Sequence, residues 1–267
     1  MEAMRPYDAD RLEAFRKAYG PAFRHSLAAE YPKEVRGEDR GSNEFEGIPV
    51  KKLIIGNVIP ALLFTPKSPV GTTLVVHEQG KEAVLEGNLL KKLLAKKQAV
   101  LAIDCFNTGE HVGAPESADR LTRYKFFDTY NRTDAANRIQ DILTSLSYVE
   151  CEYSSVNLIG VGDAGLWCML ARALAPKVNM TVVNACGFDT SDDQVFVEKC
   201  YVPCLRRAGD FRAAGALIAP GKMLIHNTRG RFKTDWIEDT YKAVGQPSCL
   251  AVQASRASDD LIADWLK

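Results

Sequence analysis

The segment Val156-Asn-Leu-Ile-Gly160-Val-Gly162-Asp163-Ala164-Gly165 holds the spacing of greatest chemical content in this chain. An apolar run that reads as a strand enters a glycine-rich turn. The residues that follow, 164–175, are apolar nearly all round, with Arg172 the one charge, which marks a buried helix. Taken alone, Gly160-x-Gly162-x-x-Gly165 is the dinucleotide fingerprint, in which the turn brings backbone close to a pyrophosphate held at a helix N-terminus. That chemistry also asks for an acid at the end of the next strand to hold the ribose. The next strand instead ends Val182-Val183-Asn184-Ala185-Cys186, and several strands precede a turn that usually opens its domain. On these residues NAD or NADP binding stays an alternative.

The same residues also fit a nucleophile elbow, a sharp turn between a strand and a buried helix. Its tight geometry demands small residues two before the nucleophile and two and three after it. With the nucleophile at 162, Gly160, Ala164 and Gly165 fill every small slot. With it at Asp163, Val161 and Leu166 fall in slots too tight for them. The register selects position 162. That residue is glycine and has no nucleophilic atom.

Several other segments occur in the order expected of such a protein. Thr72-Thr-Leu-Val-Val-His77-Glu-Gln-Gly80 is similar to the third strand and oxyanion loop of the α/β-hydrolase superfamily, with His-x-x-Gly where that family often has His-Gly-Gly. Val100-Leu-Ala-Ile-Asp104-Cys-Phe-Asn-Thr-Gly109 is similar to its fourth strand and following loop, and Met223-Leu-Ile-His226-Asn-Thr228 to its seventh strand. Tyr130-Asn-Arg-Thr and Asn137-Arg-Ile-Gln-Asp141 are similar to the helix before the elbow. Over residues 35–267 the chain resembles the acetyl-xylan-esterase-like and dienelactone-hydrolase-like bacterial members. The resemblance implies an α/β-hydrolase fold: a mostly parallel, eight-stranded-type sheet with helices on both faces. It also implies an oxyanion or ligand-binding site around His77, Glu78, Gln79 and Asp163, formed by the loop amides and the start of the buried helix, where unsatisfied N–H groups attract anions.

The departures concern catalysis. Such hydrolases run nucleophile, acid, histidine along the chain. The acid slot after Thr228 reads Arg229-Gly230-Arg231, and a second acid position after the sixth strand has Asp189, Asp192 and Asp193 as candidates. The histidine slot after the last strand reads Ala254-Ser-Arg-Ala-Ser258-Asp-Asp, and the histidines of the chain are 25, 77, 111 and 226. Nucleophile and base are both missing, so no catalytic residue is assigned and Gly162 is read as a vestigial slot. Asp104, Cys105 and His226 are the substitutes to weigh, since strand C-termini are where α/β sheets place ligands. Cys105 lacks an elbow to present it. His77, Asp104 and His226 have metal-compatible types without a metal motif, so neither a metal nor a cofactor is expected.

Strands are expected at 58–64, 72–77, 99–104, 156–160, 180–184, 223–227 and 249–253, several of them continuous apolar runs typical of a sheet covered on both faces. Residues 33–47 read as charged, exposed extended chain. Leu85, Leu89, Leu90, Leu93 and Leu94 form one helix face against a solvated lysine face at 91, 92, 96 and 97. Ala135, Ile139, Ile142, Leu146 and Val149 mark an amphipathic helix, and 261–266 a short last one. The first thirty residues read as two helices broken at Gly20-Pro21. The division is an N-terminal helical segment, 1–33, and a hydrolase domain, 34–267.

Composition sets outer limits. The chain has 267 residues, 46% hydrophobic and 25% charged, with 34 basic against 34 acidic side chains. It has room for a sizeable core without disulfides, and no global field toward nucleic acid or an anionic membrane. No apolar run is long enough for a membrane span and no signal-like stretch opens the chain, so as given it reads as cytoplasmic, or as an excised domain of an exported protein. Seven cysteines without framework spacing read as free thiols, Cys200 and Cys204 sharing a face of one helix. The expected function is an esterase-like domain, catalytically silent, that takes a small-molecule ester, acyl or carbohydrate ligand. The rival is an active carboxylesterase or acetyl esterase using off-slot residues.

Overall fold

The computed structural model describes residues 4–111, 120 and 122–266. Strands β4 (Gly71–His77), β5 (Gln98–Ile103), β6 (Val156–Val161), β7 (Met180–Asn184) and β8 (Lys222–His226) are almost wholly buried, as their continuous apolar runs require. With β1 (Gly37–Phe45), β2 (Ile48–Ile55), β3 (Ile59–Phe64) and β9 (Leu250–Val252) they form one sheet of nine strands, ordered β1-β2-β3-β5-β4-β6-β7-β8-β9. The pairings from β5 through β9 are parallel, and those joining β1, β2, β3 and β5 are antiparallel.

Alternate residues of each strand face opposite layers. Leu74 and Val76 of β4 join one buried cluster and Val75 the other. The first layer holds α1 (Ala9–Leu27), α4 (Asp134–Glu150), α5 (Ala164–Arg172), α7 (Asp210–Ile218) and α8 (Asp235–Ala243). The second holds α2 (Lys81–Glu86), α3 (Asn88–Ala95) and α9 (Asp259–Trp265). Because β5 lies on one side of β4 and β6 on the other, the strand order reverses at β4. Such a reversal, at the C-terminal ends of β4, β5 and β6, is where α/β sheets put ligands.

Several expectations are revised. The exposed 33–47 stretch is a real edge strand, β1, held by a hairpin through Glu46 and Gly47, both at positive φ, to a strand β2 that the sequence reading lacks. The helix α1 runs straight through Pro21, because Leu12, Phe15, Phe23 and Leu27 all bury along it. Tertiary burial of four large side chains outweighs an internal proline's cost of about 3 kcal/mol. Cys200 and Cys204 share no helix: α6 (Asp193–Lys199) stops before them, leaving Cys200 buried and Cys204 exposed at positive φ. All seven cysteines are free. The lysine face of α3 is solvated yet paired, Lys91 with Glu46, Lys92 with Asp260 and Lys96 with Asp264, the last two fastening α9 beside α3.

Candidate functional site at the strand C-termini

The turn after β6 has the geometry of an elbow. Gly162 sits at φ +64°, in the left-handed region that a side chain resists. The small slots on either side are close contacts: a Cβ on Gly160 would lie 2.4 Å from the Cα of Gly165, and one on Gly165 would lie 2.1 Å from the Asn184 carbonyl oxygen. The strand, the helix α5 and the neighbouring β7 thus approach backbone to backbone, and position 162 stands at the apex.

The space above Gly162 is filled by the side chain of Glu78. A Cβ at 162 would lie 2.3 Å from the Glu78 carboxyl carbon and within 2.6 Å of both its oxygens. The carboxylate accepts a hydrogen bond of 2.6 Å from the Asp163 amide, the N–H that opens α5. A negative group on that amide is favourable electrostatically as well as by hydrogen bonding. The loop amides expected to face the same space are turned elsewhere. Glu78 N–H donates to the Val161 carbonyl at 3.3 Å, and Gln79 N–H to His77 Nδ1 at 3.1 Å. The Asp163 carboxylate points outward and receives the Lys199 ammonium at 3.1 Å on both oxygens.

The two histidines lie behind the elbow. His77 is half-buried, and burial lowers its pKa. His226 is 2% exposed, accepts a hydrogen bond from the Ala257 amide at Nδ1, and is pushed down to about 4 by burial and then by the Arg256 charge. Neutral imidazoles so held carry their proton on Nε2. The slot for a histidine after the last strand presents Arg256, which with His77 and His226 borders a small cavity of about 100 Å³.

Asp104 is fully buried and committed to loop structure. It accepts from the amides of Lys81 at 2.6 Å and Glu110 at 2.9 Å, and pairs with the Lys81 ammonium, which also reaches Glu110. Cys105 is fully buried, and burial raises its thiol well above the ordinary range, which leaves it a poor nucleophile. Of the acid candidates, Asp189 accepts from Ser191, Asp192 caps α6 at Gln194, and Asp193 pairs with Arg206. None of these bonds leads to the elbow.

Three further residues border the elbow without having been singled out. Cys186, at φ +48°, bonds through both N–H and thiol to Asn184 Oδ1, and burial followed by the Asp163 and Glu78 charges raises it to about 11. Arg138 lies over the Trp167 ring at 4.4 Å and donates to the Phe106 carbonyl. Lys199 holds Asp163, as above. Cys186 bonds to Asn184, two residues back. The Arg138–Phe106 and Lys199–Asp163 contacts join segments 32 and 36 positions apart with no local pattern. The Glu78–Asp163 contact, by contrast, joins two segments that the sequence does single out, 85 positions apart. Among the described residues no group of three His, Cys, Asp or Glu is arranged to hold a metal, and no helix is long and apolar enough to cross a membrane.

No family model matches the chain, and no curated protein matches it in sequence. Solved structures do match. A promiscuous CE15 esterase from a marine bacterial metagenome superposes at TM-score 0.69 with 13% identity, over 97% of this chain and 92% of that one. A glucuronoyl esterase from Solibacter usitatus gives 0.67 with 11% identity, over 97% and 93%. Acetyl xylan esterase 1 from Thermoanaerobacterium sp. gives 0.60 with 12% identity, over 98% and 94%. The chain has the α/β-hydrolase fold. At such identities the likeness is one of fold. Within that fold, β6 runs through the Gly162 turn into α5, and the sheet has nine strands where an eight-stranded type was expected, with β1 at its antiparallel edge.

Proposed function

We propose that this chain is a catalytically silent, esterase-like α/β-hydrolase domain that acts as an accessory or ligand-binding unit. One observation carries the reading: the Glu78 carboxylate lies where a side chain at 162 would stand and takes the Asp163 amide. Ester cleavage through an elbow needs a nucleophile, a base to deprotonate it, and free donors for the developing oxyanion. Gly162 offers no nucleophile, a donor is engaged by a fixed negative charge, and His226 is buried and bonded away from the elbow. The same carboxylate stands where a pyrophosphate would sit in the dinucleotide alternative, and repels it.

The ligand class follows from the esterase neighbours, whose names specify acetyl xylan and glucuronoyl esters, and from the polar groups left around the elbow. A neutral acyl or carbohydrate ligand can donate hydroxyls to Glu78 and Asp163 and accept from Lys199, with His77 and Gln79 at the rim. Hydrolysis of p-nitrophenyl acetate tests the silent reading. The purified protein is expected to be no faster than its heat-denatured control. Saturable turnover that survives repurification and disappears on mutating His77 or Cys105 would overturn it.

A further inference from the structure

The opposite edge of the sheet, where β6, β7 and β8 begin, carries a cleft of about 1460 Å³ between α1 and the end of α5. Its lining is strongly basic. Arg16, Arg24 and His25 come from α1, Arg172 from the last turn of α5, and Lys177 from the loop before β7. Glu30 is the one acid among the described lining residues. A chain with balanced total charge has thus gathered four permanent cations around one concavity.

Arg172 is the decisive member. It is the sole charge in an otherwise apolar helix, is 5% exposed, and forms no ion pair with any acid among the described residues. One N–H reaches the Ala175 carbonyl at 2.7 Å, while its buried Nε has no partner. The C-terminal end of α5 offsets part of its charge. A buried guanidinium with an unsatisfied donor is nonetheless costly, because burial removes hydration without replacing it. Burial accordingly lowers its pKa. Arg24, exposed on α1 at the same cleft, also pairs with no acid among the described residues, whereas Arg16 reaches Glu13 and the Ala219 carbonyl and Lys177 lies 3.8 Å from Glu150.

We propose that this cleft binds a compact polyanion, a small molecule bearing two or more phosphate or carboxylate groups, with Arg172 as its buried anchor and Arg24 and Lys177 closing over it. Guanidinium forks match both groups bidentately, which is why the two sources share one site chemistry. The site lies at the edge of the sheet away from the elbow, so it stands or falls independently of catalytic silence.

Calorimetric titration of the full chain with sodium pyrophosphate, and separately with citrate, at ionic strength held constant with sodium chloride, tests this. One saturable site per chain is expected, weakened about tenfold or more by Arg24→Glu and by Lys177→Glu, since each reverses a charge at the site. Tighter binding of pyrophosphate assigns phosphate as the recognised group, and tighter binding of citrate assigns carboxylates. Arg172→Gln should abolish binding; should that variant fail to fold, the two exposed positions carry the test. Absence of saturable binding by both anions, or unchanged affinity in both Arg24→Glu and Lys177→Glu, would overturn the proposal.

Discussion

A serine placed at position 162 would meet two separate costs. Its backbone would be held at φ +64°, a strain on the order of 1 kcal/mol or more for a residue with a Cβ. Its Cβ would also overlap the Glu78 carboxylate, which would have to swing away and release the Asp163 amide. Gly162→Ser is therefore expected to lower stability by about 1–3 kcal/mol. In a Glu78→Ala background the overlap is gone, so the same substitution should cost less, with a coupling of about 0.5 kcal/mol or more in a double-mutant cycle of denaturant melts. Strict additivity would show that the carboxylate does not occupy that space. Neither single nor double variant is expected to cleave esters, because no histidine follows β9 in the sequence to activate the new hydroxyl. The tight turn at Gly162 is legible from the small-residue spacing alone. What stands over it is not: the sequence points only to the backbone amide of Glu78, and the loop's path shows its side chain folding back over the turn.

The pairing of α3 with α9 separates two kinds of contact on one interface. Lys92 and Asp260 meet at the surface, Asp260 with a side chain 74% exposed, and such pairs are worth about 0–1 kcal/mol. Ile262 of α9 is 5% exposed within the core cluster that includes Leu90 and Leu93. Ile262→Ala should cost about 2–4 kcal/mol, and Lys92→Ala under about 1 kcal/mol with an effect that fades in high salt. Urea unfolding of both variants at low and high salt checks this, and comparable losses would mean that charge rather than burial docks α9. The leucine face of α3 was readable because its period is helical. The partner of its lysines was not, because Asp260 and Asp264 lie far along the chain. The strand β2 was missed for a related reason. Val50, Leu53 and Ile55 bury while Lys51 and Lys52 interrupt the alternation, so the strand shows itself only through pairing with β1 and β3.

Across the whole molecule, two buried groups act on pH stability in opposite senses. His226 titrates at about 4 when folded, so between about pH 4 and 6.5 the unfolded chain binds a proton that the folded chain does not. Stability from this group rises with pH over that window. Asp141 of α4 accepts from the Phe106 amide at 2.8 Å, yet burial raises it to about 7. From about pH 4 to 7 the folded chain keeps a proton that the unfolded chain has released, and stability from this group falls as pH rises. Each shift corresponds to a few kcal/mol at most, roughly 1.4 kcal/mol per pH unit. Asp141→Asn removes the titration and keeps the shape. Its stability relative to the parent should therefore increase from about pH 4 to 7, as read from urea midpoints. A constant difference across that range would show that Asp141 is not held protonated by the fold.

The sequence by itself determined the layered α/β class, the parallel strands from β4 to β9, and the tight glycine turn between β6 and the buried helix α5. Each follows from a local pattern: continuous apolar runs, helical spacing, and small residues at fixed offsets in a tight turn. Tertiary structure alone decided the continuity of α1 through Pro21, the hairpin that adds β1 and β2, the carboxylate of Glu78 over Gly162, and the cationic cleft around Arg172. These depend on which distant segments meet. Burial can override a local breaker, and a charge acquires its role from neighbours that the chain order does not name.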